Sequence, residues 1–202
     1  MRHRAYRTDP FIDLLFNALL GFTMLFFVSI VFMNPESLHG RVNLKAEYII
    51  SVTWPENRRD DIDLWVRDPY GEVVSYLQKD AGWLHLDRDD QGDINDTIEI
   101  EGEKVVYPIN QEIVTIRGLI EGEYTVNLYF YEKRDPGPLE AVVKVERVNP
   151  TLSTVFVDRV TLHKLYEEIT VVRFTPDAEG KVTNVHKTPI VLTPYMLDPA
   201  QL

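Results

Sequence analysis

Asp13 is the one charged residue in an apolar run that extends from Phe11 to Met33. A helix turns by about 100° per residue, so Asp13 would share one face with a stripe of following residues: Asn17, Leu20, Met24, Phe27 and Val31, with Gly21 at its margin. A carboxylate in apolar surroundings can bind a proton, become neutral and release the proton again. The pattern therefore predicts that Asp13 carries an ion and that Asn17, Leu20, Gly21 and Met24 line a channel or pack against neighbouring helices.

A structural role for Asp13 is the alternative, because an acid near a helix start can cap the helix or lie among lipid head groups. Asp9 weakens that alternative, since it stands directly before Pro10 and is itself well placed to cap. A single helix cannot enclose an ion path, so an ion-carrying Asp13 requires partner helices that supply the remaining walls. The sequence thus predicts a membrane complex.

The apolar run predicts a transmembrane helix over residues 11–33, because such a helix would be about 34 Å long. A cleaved signal peptide is the rival interpretation, but no small-x-small cleavage pattern follows Met33. The three basic residues before the helix (Arg2, Arg4 and Arg7) favour a cytoplasmic N-terminus. We therefore expect residues 1–10 in the cytoplasm, a single pass through a bacterial inner membrane, and a periplasmic C-terminal part.

The segment Thr8-Asp9-Pro10-Phe11-Ile12-Asp13-Leu14-Leu15-Phe16, preceded by a short basic N-terminus, resembles the start of B subunits of ion-driven membrane motors. MotB, PomB, ExbD, TolR and ZorB belong to this group. The resemblance implies a homodimer whose two helices sit inside a pentamer of multi-pass MotA/ExbB/TolQ-like subunits. It also implies that Asp13 takes up and releases the transported ion. A lone carboxylate with few polar neighbours favours H⁺ over Na⁺, which remains the alternative.

The sequence departs from MotB-type and ZorB-type subunits after the helix, because it lacks an OmpA-like peptidoglycan-binding pattern. The predicted function is a proton-conducting B subunit of a rotary motor, with a periplasmic domain that transmits force or engages an unknown target. The alternative is a membrane-anchored periplasmic binding module for glycan, protein or Ca²⁺, in which the helix is only an anchor. An envelope enzyme is disfavoured, since the histidines lack metal-ligand spacing and no nucleophile motif appears.

Residues 41–202 carry the whole net charge of −11, which argues against a nucleic-acid partner. Residues 34–43 are predicted to be a linker, residues 44–193 an all-β domain resembling a β-sandwich, and residues 194–202 a tail. Runs rich in Val, Ile, Thr and Tyr, separated by turn residues, predict the strands. These are 44–53, 61–67, 72–77, 97–107, 111–118, 123–132, 139–147, 153–162, 166–174 and 181–192.

Two acidic clusters stand out in this domain, at residues 61–71 and 86–96. The first, Asp61-Ile62-Asp63-Leu64-Trp65-Val66-Arg67-Asp68-Pro69-Tyr70-Gly71, resembles a hairpin of pre-peptidase C-terminal β-sandwiches, and Gly122-Glu123-Tyr124-Thr125-Val126 resembles another of their strands.

Ca²⁺ is the candidate cofactor of the acidic clusters, because it requires several oxygen ligands at one point. If the two clusters meet, the ligands would come from five acids: Asp61, Asp63, Asp87, Asp89 and Asp90. The alternative is a solvated acidic loop that binds no metal.

Overall fold

The computed structural model describes residues 10–33, 46–94 and 96–193, and the side chains within these ranges except those of residues 30–33 and 98. Contacts along the chain divide it into two units, residues 1–42 and 43–202. The predicted linker 34–43, the tail 194–202 and all but Pro10 of the N-terminal segment lie outside the described residues.

The described part of the first unit is a helix, α1, which runs from Pro10 to Met33. Proline suits the first helical position, because its missing N–H would have no partner there. The helix has 24 residues and would be about 36 Å long. It is long and apolar enough to cross a membrane, a criterion that a signal sequence near an N-terminus would also meet. The predicted helix is confirmed.

The second unit is built from strands, and within the described residues it contains no helix. The strands are β1 (Tyr48–Thr53), β2 (Asp61–Arg67), β3 (Val73–Val74), β4 (Asp80–Ala81), β5 (Leu84–Arg88), β6 (Thr97–Ile100), β7 (Glu103–Val106), β8 (Gln111–Ile116), β9 (Tyr124–Glu132), β10 (Leu139–Arg147), β11 (Ser153–Leu162), β12 (Glu168–Pro176) and β13 (Val182–His186).

Two antiparallel sheets and a separate hairpin make up this unit. The first sheet has six strands in the order β11-β10-β1-β8-β5-β4, and the second has five in the order β13-β12-β9-β2-β3. Strands β6 and β7 form the hairpin. The predicted all-β architecture is confirmed.

One hydrophobic core lies between the two sheets. The first sheet contributes residues such as Ile50 and Val114, and the second contributes residues such as Leu64 and Leu128. Alternation along the strands turns these side chains to the same side, as in β8, where every second residue is buried. Burial of both inner faces gives a β-sandwich-like domain.

Several secondary-structure predictions differ from the structure, among them the predicted strand 72–77, which is reduced to β3 at Val73–Val74. The predicted strand 97–107 is the hairpin β6–β7, because Glu101 and Gly102 adopt positive φ angles of 54° and 85° and reverse the chain. The predicted strand 181–192 ends at His186. The acidic segment 86–96, expected to be a loop, begins as the last three residues of β5, whose leucines Leu84 and Leu86 enter the core.

Gly92, in the segment after β5, lies against the backbone of Arg59 and Asp60, which directly precede β2. It has a φ of +69°, and a Cβ atom at this position would lie 2.4 Å from the backbone oxygen of Arg59. Both the conformation and the close approach favour a residue without a side chain. Gly92 thus allows the two acidic segments to come together.

We expect Gly92→Ala to destabilise the domain by about 2–4 kcal/mol, because the methyl group would displace backbone and occupy a left-handed conformation. Gly137→Ala is the matched control, since Gly137 has a φ of +83° with open space around it. It should cost only about 1 kcal/mol. Denaturant unfolding of the full chain in detergent measures both, and equal losses would contradict the close-contact argument.

Candidate functional site

The predicted ion-carrying stripe lies on α1. Asp13 is in the first turn of the helix, and Asn17, Leu20, Gly21 and Met24 follow it, all of them exposed. Thr23 donates a hydrogen bond from its hydroxyl to the carbonyl of Leu19, 2.8 Å away, so its polarity is satisfied within the helix. The apolar surface of the helix is therefore available for contact with lipid or with other helices.

A second set of acids converges in the β domain. Asp63, Asp89 and Glu112 each offer one carboxylate oxygen, and these three oxygens lie within 4.8 Å of one another. We call these three residues the carboxylate cluster. Asp63 and Glu112 are only 3% and 1% exposed, whereas Asp89 is half-buried. Two of the predicted calcium ligands, Asp63 and Asp89, are thus brought together.

Glu112 reaches the cluster because β2 has an open edge. Strand β3 pairs with β2 only at Val66 and Arg67, so the N–H of Leu64 has no strand beside it on that edge. Glu112, on the facing sheet, accepts the hydrogen bond from this N–H with Oε2 at 2.6 Å. Its carboxylate substitutes for a missing strand partner at the open edge of β2.

A β-bulge in β5 determines which residue faces Glu112. Leu86 pairs with Val114, but the next pair is Arg88 with Ile113, so Asp87 is the extra residue. Continuing that register by one residue places Asp89 beside Glu112. Without the bulge Arg88 would occupy that level and the cluster would lose a carboxylate.

Two buried oxygens of the cluster, Oδ2 of Asp63 and Oε1 of Glu112, have no hydrogen-bond partner within the described part of the chain. Oδ1 of Asp61, which is outside the cluster but close to it in sequence, also has none there. Burial raises the pKa of Glu112 well above its ordinary value, and the nearby Asp63 raises it further against the opposing hydrogen bond from Leu64. Burial also raises the pKa of Asp63, with Asp61 and Asp89 adding to the effect.

The cluster borders a pocket of about 170 Å³ that opens to the surface. Asp61 lines it, and burial raises the pKa of Asp61 to about 7. One wall is aromatic, because the rings of Tyr76 and Tyr131 pack edge to face with their centroids 5.1 Å apart. Burial, together with the carboxylate of Asp63, raises the pKa of Tyr76 to about 12, so its hydroxyl remains protonated and available to donate.

The other two predicted ligands, Asp87 and Asp90, lie outside the carboxylate cluster. Asp87 forms a 3.0 Å ion pair with Arg117. Asp90 forms a 2.9 Å ion pair with Arg88 and accepts backbone hydrogen bonds from Gly92 and Gln111. These contacts give both carboxylates structural partners, and those of Asp90 hold the segment that carries Asp89.

Glu112 was not among the predicted ligands, although its strand contains a signal for it. The sequence Gln111-Glu112-Ile113-Val114-Thr115-Ile116 alternates, and Glu112 falls on the same side as Val114 and Ile116, the side that faces the core. An acid on the core face of a strand is rarely buried without a partner. That position alone marks Glu112 as a candidate functional residue.

Comparison of the chain with protein-family models, curated proteins and solved structures gives no match.

We expect Glu112→Gln to raise the free energy of unfolding by about 1–3 kcal/mol in a chelating buffer, because it removes an acid that must be either protonated or buried as an anion on folding. The glutamine keeps an oxygen that can accept the Leu64 hydrogen bond. Glu112→Ala removes that acceptor and should be less stable than Glu112→Gln by about 1–3 kcal/mol.

Denaturant unfolding of the full chain in detergent with EDTA measures these differences. Glu103→Gln, on the exposed strand β7, is the control and should change the stability by less than about 0.5 kcal/mol. A Glu112→Gln variant less stable than the unsubstituted protein would show that the cluster is not repulsive without a cation.

Proposed function

We propose that the chain is the ion-conducting B subunit of an ion-driven membrane complex, with Asp13 as the residue that binds and releases the ion. The observation that carries this proposal is a single carboxylate in the first turn of an otherwise apolar, membrane-length helix. A charge at that position is costly in lipid, and such residues usually face a bundle interior or a water-filled path.

The exposed surface of α1 supports the proposal that other helices pack against it. Asn17 lies one turn from Asp13 and offers an amide that can donate and accept hydrogen bonds across a helix interface. Leu20, Gly21 and Met24 continue the same surface. We propose that two copies of α1 sit within a pentamer of multi-pass subunits, as the similarity of residues 8–35 to B subunits suggests.

The same proposal places the chain in a bacterial inner membrane with its N-terminus in the cytoplasm. The three arginines before α1 support this orientation. The acidic β domain would lie in the periplasm, where it transmits force or engages a target. H⁺ is the proposed ion, and Na⁺ is the alternative.

Asp13→Asn tests the proposal, because asparagine keeps the shape of the side chain but cannot carry a proton. The tagged full chain is purified from native membranes with its multi-pass partner, and native mass spectrometry determines the stoichiometry. The complex is then reconstituted in liposomes, and a pH-sensitive dye reports H⁺ uptake under an imposed potential. We expect a five-to-two complex whose flux falls to background in Asp13→Asn.

Asp9→Asn is the matched control for this flux measurement, since it removes a carboxylate four residues earlier and should leave the flux intact. Flux in the unsubstituted complex that requires Na⁺ and no pH change would assign the ion to Na⁺. Full H⁺ flux in Asp13→Asn would exclude Asp13 as the carrier and the proposal with it.

Retention and orientation of α1 can be measured directly because the chain contains no cysteine. Intact mass should show that α1 is not cleaved. A single cysteine at Tyr70, which is 79% exposed, should react with a membrane-impermeant maleimide in spheroplasts. A single cysteine at His3 should react only after the membrane is opened. The reverse labelling, or a cleaved helix, would contradict the proposed topology.

A membrane-anchored binding module is the second candidate, and the acidic pocket beside Asp61 and Tyr76 favours it. In that case α1 is only an anchor. Replacement of residues 11–33 by an unrelated transmembrane helix then preserves function in cells, whereas it abolishes the function of an ion-driven subunit.

A further inference from the structure

We propose that Asp63, Asp89 and Glu112 bind one Ca²⁺ ion that connects the two sheets of the β domain. Asp63 lies on β2 in the five-stranded sheet, Glu112 lies on β8 in the six-stranded sheet, and Asp89 directly follows β5. The site goes beyond the proposed function of α1 and does not depend on it.

The distances between the carboxylate oxygens fit a shared ion. Ca²⁺ binds oxygen at about 2.4 Å, so two oxygens on the same ion can be at most about 4.8 Å apart. One oxygen from each of Asp63, Asp89 and Glu112 meets this limit for every pair. Carboxylates without a shared cation or proton would repel one another at such distances.

Unpaired buried oxygens are the second observation that points to a ligand. Oδ2 of Asp63 and Oε1 of Glu112 are buried and have no hydrogen-bond partner within the described residues. Asp60 provides the contrast, since it is fully buried but accepts two backbone hydrogen bonds at 2.8 and 3.0 Å and pairs with Arg58. Oδ2 of Asp63 and Oε1 of Glu112 lack such donors among the described residues, and a cation would satisfy both oxygens.

Charge balance favours a divalent ion. The three carboxylates carry three negative charges when ionised, and Lys79 contributes one positive charge through its 2.8 Å ion pair with Asp89. A divalent cation neutralises the two that remain. A monovalent cation would leave a net negative charge in a mostly buried site, which is costly.

The ligand type and the surroundings favour Ca²⁺ among divalent ions. All three ligands are carboxylate oxygens, which suit Ca²⁺ and Mg²⁺ rather than Zn²⁺ or Cu²⁺. Ca²⁺ takes six to eight oxygens in irregular geometry, whereas Mg²⁺ requires a nearly ideal octahedron. The adjoining pocket, lined by Asp61 and Tyr76, has room for the waters that would complete the coordination.

Calorimetric titration of the full chain in detergent, first stripped with EDTA, tests the site. We expect one Ca²⁺ per chain with a Kd of about 0.1–1 mM, as in extracellular calcium modules, and Mg²⁺ binding at least about tenfold weaker. Ca²⁺ at ten times its Kd should raise Tm by about 3–6 °C. Asp63→Asn and Asp89→Asn should each weaken Ca²⁺ binding by about tenfold or more.

Asp87→Asn is the matched control, because it removes a neighbouring acid that pairs with Arg117 instead of joining the cluster. It should leave the Kd for Ca²⁺ unchanged, and so should Asp13→Asn, which separates this site from the function proposed for α1. No Ca²⁺ binding, or equal losses in Asp87→Asn and Asp89→Asn, would overturn the site. Mg²⁺ binding as tight as Ca²⁺ binding would overturn its assignment to Ca²⁺. Should Asp63→Asn not fold, Asp89→Asn alone decides between these outcomes.

Discussion

Desolvation of carboxylates is the constraint on which the organisation of this protein depends. An ionised acid removed from water needs hydrogen-bond donors, a cation or a proton, and without them it costs several kcal/mol. Most buried acids of the β domain have donors. Asp60 holds the backbone of Arg134 and Asp135, Asp68 closes the turn after β2 through two backbone N–H groups, and Asp90 holds the segment after β5. These acids stabilise the loops that adjoin them.

The carboxylate cluster differs because its geometry serves two purposes. Glu112 satisfies the open edge of β2 with one oxygen and leaves the other unpaired beside Asp63. The bulge in β5 then adds Asp89 to the same point. Three local irregularities (a short β3, a bulge and an acid on a core face) thus combine to form one site at the open edge of β2.

Asp13 would meet the same constraint if α1 spans a membrane as proposed. Its carboxylate would then need a proton or a hydrogen-bond donor from water or from a neighbouring helix. This requirement links the composition of α1 to the proposed complex. The helix and the β domain therefore pose separate questions, one about ion transfer and one about cation binding.

The sequence by itself determined the elements with strong local signals. An apolar run of membrane length predicts a helix, and runs of β-branched and aromatic residues predict strands, so the bounds of β2, β10 and β11 agree with the structure. Strand β5 was missed because its charged residues Asp87 and Arg88 lead into an acidic segment that resembles a loop, and only its packing against β8 makes it a strand. The tertiary structure also decided the membership of the site. Asp63 and Asp89 were recognisable as acids, but Glu112, 49 residues after Asp63, joins them only through sheet packing. Asp87 instead pairs with Arg117, and Asp90 pairs with Arg88. Local sequence reports residue type and periodicity, whereas the convergence of carboxylates depends on register and on the pairing of distant strands.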